Sequence, residues 1–257
     1  MIIVRLFVNF VILAVEIGAV VGVAWLGWRY PLWLAVAAAV IALGAGLALE
    51  QARLRNELAF YFGRSAEKLS WIGSVVALGE ALLKALLAGV VTLVTFSGTD
   101  AGRLQIIAIV FGVCVFAGSS LLRRLSISFG ANPSRWGFFR LGAPLGLLYS
   151  GIIAGAEQIK FAGAVFMPMP SLSDLAKRLI FEVPARPSLT QASELLFLLK
   201  QKFDDIVVTI LGAFLPDIAA RLVGVLVSVN MLTGFAIAVF AVAIAEIVRQ
   251  LEEAGPG

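Results

Sequence analysis

The stretch "NFVILAVEIGAVVGVAWLGW", residues 9–28, is apolar throughout except for Asn9 at its edge and Glu16 near its middle. About twenty such residues form a helix long enough to cross some 30 Å of hydrocarbon, and nothing else constrains the chain as strongly. Comparable runs follow at residues 31–49, 70–96, 104–122 and 222–248, with a shorter glycine-containing run at 141–156. Hydrophobic residues make up 61% of the 257 and charged residues 14%, against roughly 45–50% and about 25% in an ordinary soluble domain. The runs do not alternate apolar with polar, so a transmembrane barrel is not expected. The expected fold is an all-α polytopic transmembrane bundle of about six membrane segments, five to seven, with amphipathic interfacial helices.

The first two runs meet at Trp28-Arg29-Tyr30-Pro31, a tight hairpin ringed by Trp25, Trp28, Tyr30 and Trp33, rings suited to the head-group level. The first run is too long for a cleaved signal peptide, carries Glu16 and lacks a small-x-small site, so it is expected to remain in the mature protein. Residues 50–71 read as an amphipathic connector at the interface. A second hairpin turns at "SGTDAGR", residues 97–103, and is followed by a stretch bearing Arg123, Arg124, Arg135 and Arg140 with no acid, expected to contact anionic lipid.

Residues 1–156 thus form two hairpins plus the glycine-rich fifth span. Residues 157–205, with six acids, six bases and four of the nine prolines, are expected to lie outside the bilayer. Within them Ser188-Leu-Thr-Gln191 has capping-box form and opens a helix of about 25 residues from Leu189. Residues 206–257 hold a re-entrant or interfacial piece ending at Pro216, a last span at 222–248 and a short tail. Basic residues concentrate on one set of loops, which places the amino terminus in the cytoplasm, and the expected home is a bacterial cytoplasmic membrane.

Histidine is absent and Cys114 is the single cysteine. Haem, zinc and copper sites normally need these side chains, and a histidine-based triad needs one, so no metal, cofactor or catalytic centre is expected. No phosphate-binding loop occurs, and the serine pairs Ser119-Ser120 and Ser126-x-Ser128 have no evident base. The net charge of +4 fits cytoplasmic loops on anionic lipid, and nucleic acid is not an expected partner.

What calls for explanation is charge inside the spans, where each acid or base costs about 2.5–3.5 kcal/mol on the insertion scale. On a helical wheel Arg5, Asn9 and Glu16 share a stripe. Glu80 and Lys84 stand four apart on one face, and Glu16 and Glu80 fall at similar depth, so Asn9, Glu16, Glu80 and Lys84 form a candidate intramembrane charge site with Lys84 as partner for Glu16. Asn230 and Thr233 could extend a polar path. Gly18 and Gly22, and Gly151 and Gly155, have the four-residue spacing that lets membrane helices pack closely.

Two functions fit these features. One is a non-catalytic integral subunit of a larger membrane assembly for transport or secretion, with lipids and other subunits or further copies as partners. The other is a self-sufficient proton- or ion-coupled transporter using its intramembrane carboxylates. A lipid-modifying enzyme is a third reading, opposed by the lack of histidine and of metal ligands.

Overall fold

The computed structural model describes residues 2–62, 70–97, 101–134, 140–160, 189–216, 219–220, 223–224, 227–228 and 230–254, with no strand among them. Among the described residues seven helices follow in order: α1 (Ile2–Arg29), α2 (Pro31–Phe62), α3 (Ser70–Thr95), α4 (Ala101–Phe129), α5 (Gly142–Lys160), α6 (Leu189–Gly212) and α7 (Asn230–Ala254). Five of them, α1 to α4 and α7, are long and apolar enough to cross a membrane, and a shorter apolar helix covers Gly142–Gly155. The chain is an all-α integral membrane protein.

Each boundary has a local cause. Only Tyr30 separates α1 from α2, and Pro31, lacking an N–H, opens α2 where no donor is needed. Gly130, with φ 63°, ends α4, its N–H held by Ser126 O at 2.9 Å; only glycine adopts that left-handed turn without strain. Ser228 caps α7 by accepting the N–H of Asn230 on Oγ at 3.0 Å.

Two expectations are revised. Residues 50–62 are not a separate surface helix but the last turns of α2, because "EQARLRNELAFYF" is rich in strong helix formers and has no glycine or proline to stop it. The last continuous helix begins at Asn230, not near residue 222, because Ser228 interrupts the apolar run with a bend and a cap. Residues 161–188, including Ser188 of the capping box, lie outside the described residues, while the helix expected from Leu189 is α6.

Lipid tails are as apolar as leucine, so helices in a bilayer associate through close packing of small residues. The hairpin of α2 and α3 follows this rule. Ala38, Ala42 and Gly46 of α2 meet Ala77, Ala81, Ala85 and Ala88 of α3 along buried stripes spaced three and four apart. At the centre stands α7, which touches α1 to α5. Its residues 236–242 are buried on every side, as in a helix surrounded by others. Phe111 of α4 sets its ring edge-on to Phe96 and Phe240 at 5.1 and 6.1 Å, filling the middle of the bundle.

Aromatic side chains mark both ends. Trp25, Trp28, Tyr30 and Trp33 are exposed at the α1–α2 turn, and Phe60, Tyr61 and Trp71 are exposed at the opposite end. From Trp33 to Phe60 a continuous helix rises about 40 Å, close to the thickness of a bilayer with its head groups.

Candidate functional site

The carboxylate that opened the sequence question lies on the buried face of α1, between Ile12 and Val20, with 2% of its surface exposed. It faces α4, which runs antiparallel to α1. Ser119 Oγ donates to Glu16 Oε1 at 2.7 Å and Ser120 Oγ at 3.2 Å, while Arg123 Nη1 lies 3.8 Å from Oε2. Arg123 reaches further to α7, where its guanidinium bonds Glu252 Oε1 at 2.7 Å. One cation therefore ties two acids, on α1 and α7, to α4. The spacing that achieves this is simple: Ser119 and Arg123 are four apart, so they project one turn apart from the same face.

Lys84 has other partners. Its ammonium pairs with Glu50 of α2, which is 1% exposed, and lies 3.6 Å from Glu80 on its own helix. Arg53 joins the group, 2.7 Å from Glu57, 3.4 Å from Glu50 and 3.7 Å from Glu80. The expected single cluster is thus two clusters with different partners: Glu16 with Ser119, Ser120, Arg123 and Glu252, and Glu80 and Lys84 with Glu50, Arg53 and Glu57. Depth was inferable from counting residues; azimuth was not, because a wheel for one helix says nothing about which helix stands opposite. Asn9 is exposed, since the antiparallel register carries it level with the last turn of α4.

Both clusters lie toward the end of the bundle that holds the start of α1. Among the described residues the acids of each cluster outnumber its bases by one, Glu16 and Glu252 against Arg123, and Glu50, Glu57 and Glu80 against Arg53 and Lys84. Glu50 is the residue that sequence reasoning missed. The signal was present, for Glu50 continues the stripe Ala38, Ala42, Gly46 by one more step of four.

The polar pair Thr95 and Thr233 sits at the other end, with Oγ atoms 2.9 Å apart. Thr95 gives its own proton to Val91 O at 2.8 Å, so Thr233 is the donor in the pair. Asn230 is half-buried at the start of α7, close to the link in which Ser228 Oγ donates to Asp204 Oδ2 of α6 at 3.0 Å. Between this end and Glu16 lie Phe111, Cys114, Val115, Ile237 and Phe240, all buried. Asn230 and Thr233 are not joined to Glu16 through the described polar side chains.

The glycines divide against expectation. A Cβ at Gly18, Gly22, Gly151 or Gly155 would meet nothing within 4 Å. The close crossing is made instead by Gly142 and Gly146 of α5 against Gly234 of α7, where a Cβ on Gly146 would lie 3.1 Å from Met231 Cα. Three glycine pairs in these helices share the four-residue spacing, and only packing tells which of them faces a helix. Arg124 and Arg140 are exposed, as lipid contact requires, whereas Arg123 is committed to Glu16 and Glu252; Arg135 lies outside the described residues.

No group of three or more potential metal ligands occurs among the described residues. No known protein family, curated protein or solved structure matches the chain.

Proposed function

We propose that the chain is a non-catalytic integral subunit of a larger membrane assembly engaged in transport or secretion. One observation carries the reading: the buried charges pair with one another toward one end of the bundle, and the packed rings of Phe111 and Phe240 lie between them and the polar pair at the other. A self-sufficient transporter needs polar groups converging at a broken helix near the midplane, and α1 to α4 are continuous there. Paired charges of this kind serve to fix which helices are neighbours, because misplacing one would leave an ion in hydrocarbon.

The assembly part of the proposal draws support from what is left uncovered. Only 22% of the apolar window of α1 is buried, against 67% for α7. Gly18 and Gly22 lie on this open surface, where a second helix backbone could approach closely. Exposed Arg53, Arg55 and Arg124 and partly exposed Arg123 and Arg249 gather at the end bearing the start of α1, which favours a cytoplasmic amino terminus, and a bacterial cytoplasmic membrane remains the proposed location.

Mild detergent extraction from the native membrane followed by mass determination tests the proposal. The expected result is a particle heavier than one chain, which Gly18→Leu with Gly22→Leu reduces in mass while the single chain stays folded. A monodisperse single chain under conditions that preserve other membrane complexes would overturn it.

A further inference from the structure

Beside the bundle, α6 leans on the far-end half of α3 and leaves a groove of about 540 Å³, within the roughly 300–1,000 Å³ typical of small-molecule sites. Its walls are apolar: Leu87, Val91 and Thr95 of α3, Phe203 and Ile206 of α6, and Leu232 of α7. Two cations, Lys200 and Lys202 of α6, also line it.

The position of the groove relates it to one leaflet. Thr95 bonds Thr233 at the start of α7, and Asp204 receives the Ser228 hydroxyl just before that start. The first link sets the α3 and α7 walls of the groove at the end of the bundle that holds the turn between α1 and α2, and the second ties α6 at Asp204, one turn from Lys200, to the start of α7 at that end. From Thr95 to Leu87 the α3 wall descends eight residues, about 12 Å, toward the middle. Half of a hydrocarbon core is about 15 Å, so the wall matches the depth of a single acyl chain in one leaflet.

We propose that this groove binds one acyl chain of an anionic phospholipid, its phosphate held by Lys200 and Lys202. Charge complementarity selects the occupant. A neutral apolar ligand would gain nothing from two ammonium groups on the lining, and a soluble anion nothing from the valine and leucine walls. Both lysines already make polar contacts within the chain, and each ammonium has three donors to distribute.

The test uses the full chain in detergent, titrated with phosphatidylglycerol or phosphatidylcholine of equal chain length and read by native mass spectrometry. One phosphatidylglycerol should be retained in preference to phosphatidylcholine. Each of Lys200→Gln and Lys202→Gln should weaken that preference by about fivefold, the effect of one basic residue near an anionic surface. Leu199→Trp, on the groove wall but half-exposed on α6, should expel the chain of either lipid without disturbing the packing of α3 and α7. Retention of both lipids alike, retention that the lysine and tryptophan variants leave unchanged, or no retained lipid would each overturn the proposal. Unchanged thermal unfolding of the three variants shows that the groove, and not the fold, was altered.

Discussion

Replacing Gly146 by alanine tests whether α5 and α7 are held by backbone contact. A Cβ at residue 146 would lie 3.0 Å from the Met231 carbonyl carbon and 3.1 Å from its Cα, and closer still to its carbonyl oxygen. Ordinary contacts begin near 3.4 Å, and the obstructing atoms are backbone, so neither side can yield by changing a rotamer. The helices must part, which sets the cost near the top of the usual overpacking range, about 3 kcal/mol. Alanine returns about 1 kcal/mol through helix propensity, leaving a net loss of about 2 kcal/mol. For a chain of this size that lowers the unfolding midpoint by roughly 4–8 °C. Cys114 supplies the assay: it is the single cysteine and is fully buried, so a thiol-reactive fluorophore in detergent labels it as the bundle opens. The control is Gly18→Ala, where the Cβ meets nothing and the midpoint should hold or rise. A neutral Gly146→Ala with a destabilising Gly18→Ala would refute the assignment of the α5–α7 crossing.

Three further outcomes follow from the polar groups. Lys84→Met should cost about 3–5 kcal/mol by leaving Glu50 buried without its ammonium, whereas Lys84→Met with Glu50→Leu should recover most of that loss, a non-additivity read from a double-mutant cycle in the same labelling assay. Arg123→Gln should destabilise by about 2–4 kcal/mol, because one guanidinium serves both Glu16 and Glu252, while Arg124→Gln, on an exposed side chain, should stay within about 0.5 kcal/mol of the native chain. Thr95→Val should cost about 1 kcal/mol and more than Thr233→Val, since it deprives the Thr233 hydroxyl of its acceptor while Thr95 in the Thr233 variant still bonds Val91.

Length and apolarity were enough to read the spans and the first hairpin, because the bilayer fixes how many residues a crossing helix needs and Pro31 fixes where one begins. Helix ends governed by weaker signals were harder. The polar turns that prolong α2 to Phe62 resemble a surface helix in composition, and the cap at Ser228 is hidden inside an apolar run. The site was legible in part. That Glu16 is buried follows from its place between Ile12 and Val20, but its partners come from α4 and α7, more than a hundred residues away. Ser119 and Ser120 read in the sequence as serines with no base beside them, suited to hydrogen bonding or close packing, and the structure names the acceptor, the buried carboxylate of Glu16. Glycine spacing carried the least information, since Gly142 and Gly146 pack against Gly234 while Gly18 and Gly22 face outward.

The most direct test of whether these buried charges hold helices or move ions is the decay of a pH gradient, or of an ion gradient, across liposomes containing the purified chain alone. Gradients should decay as in protein-free liposomes, and Glu16→Gln and Glu80→Gln should leave that rate unchanged. A fast decay that the native chain produces and Glu16→Gln abolishes would contradict the account.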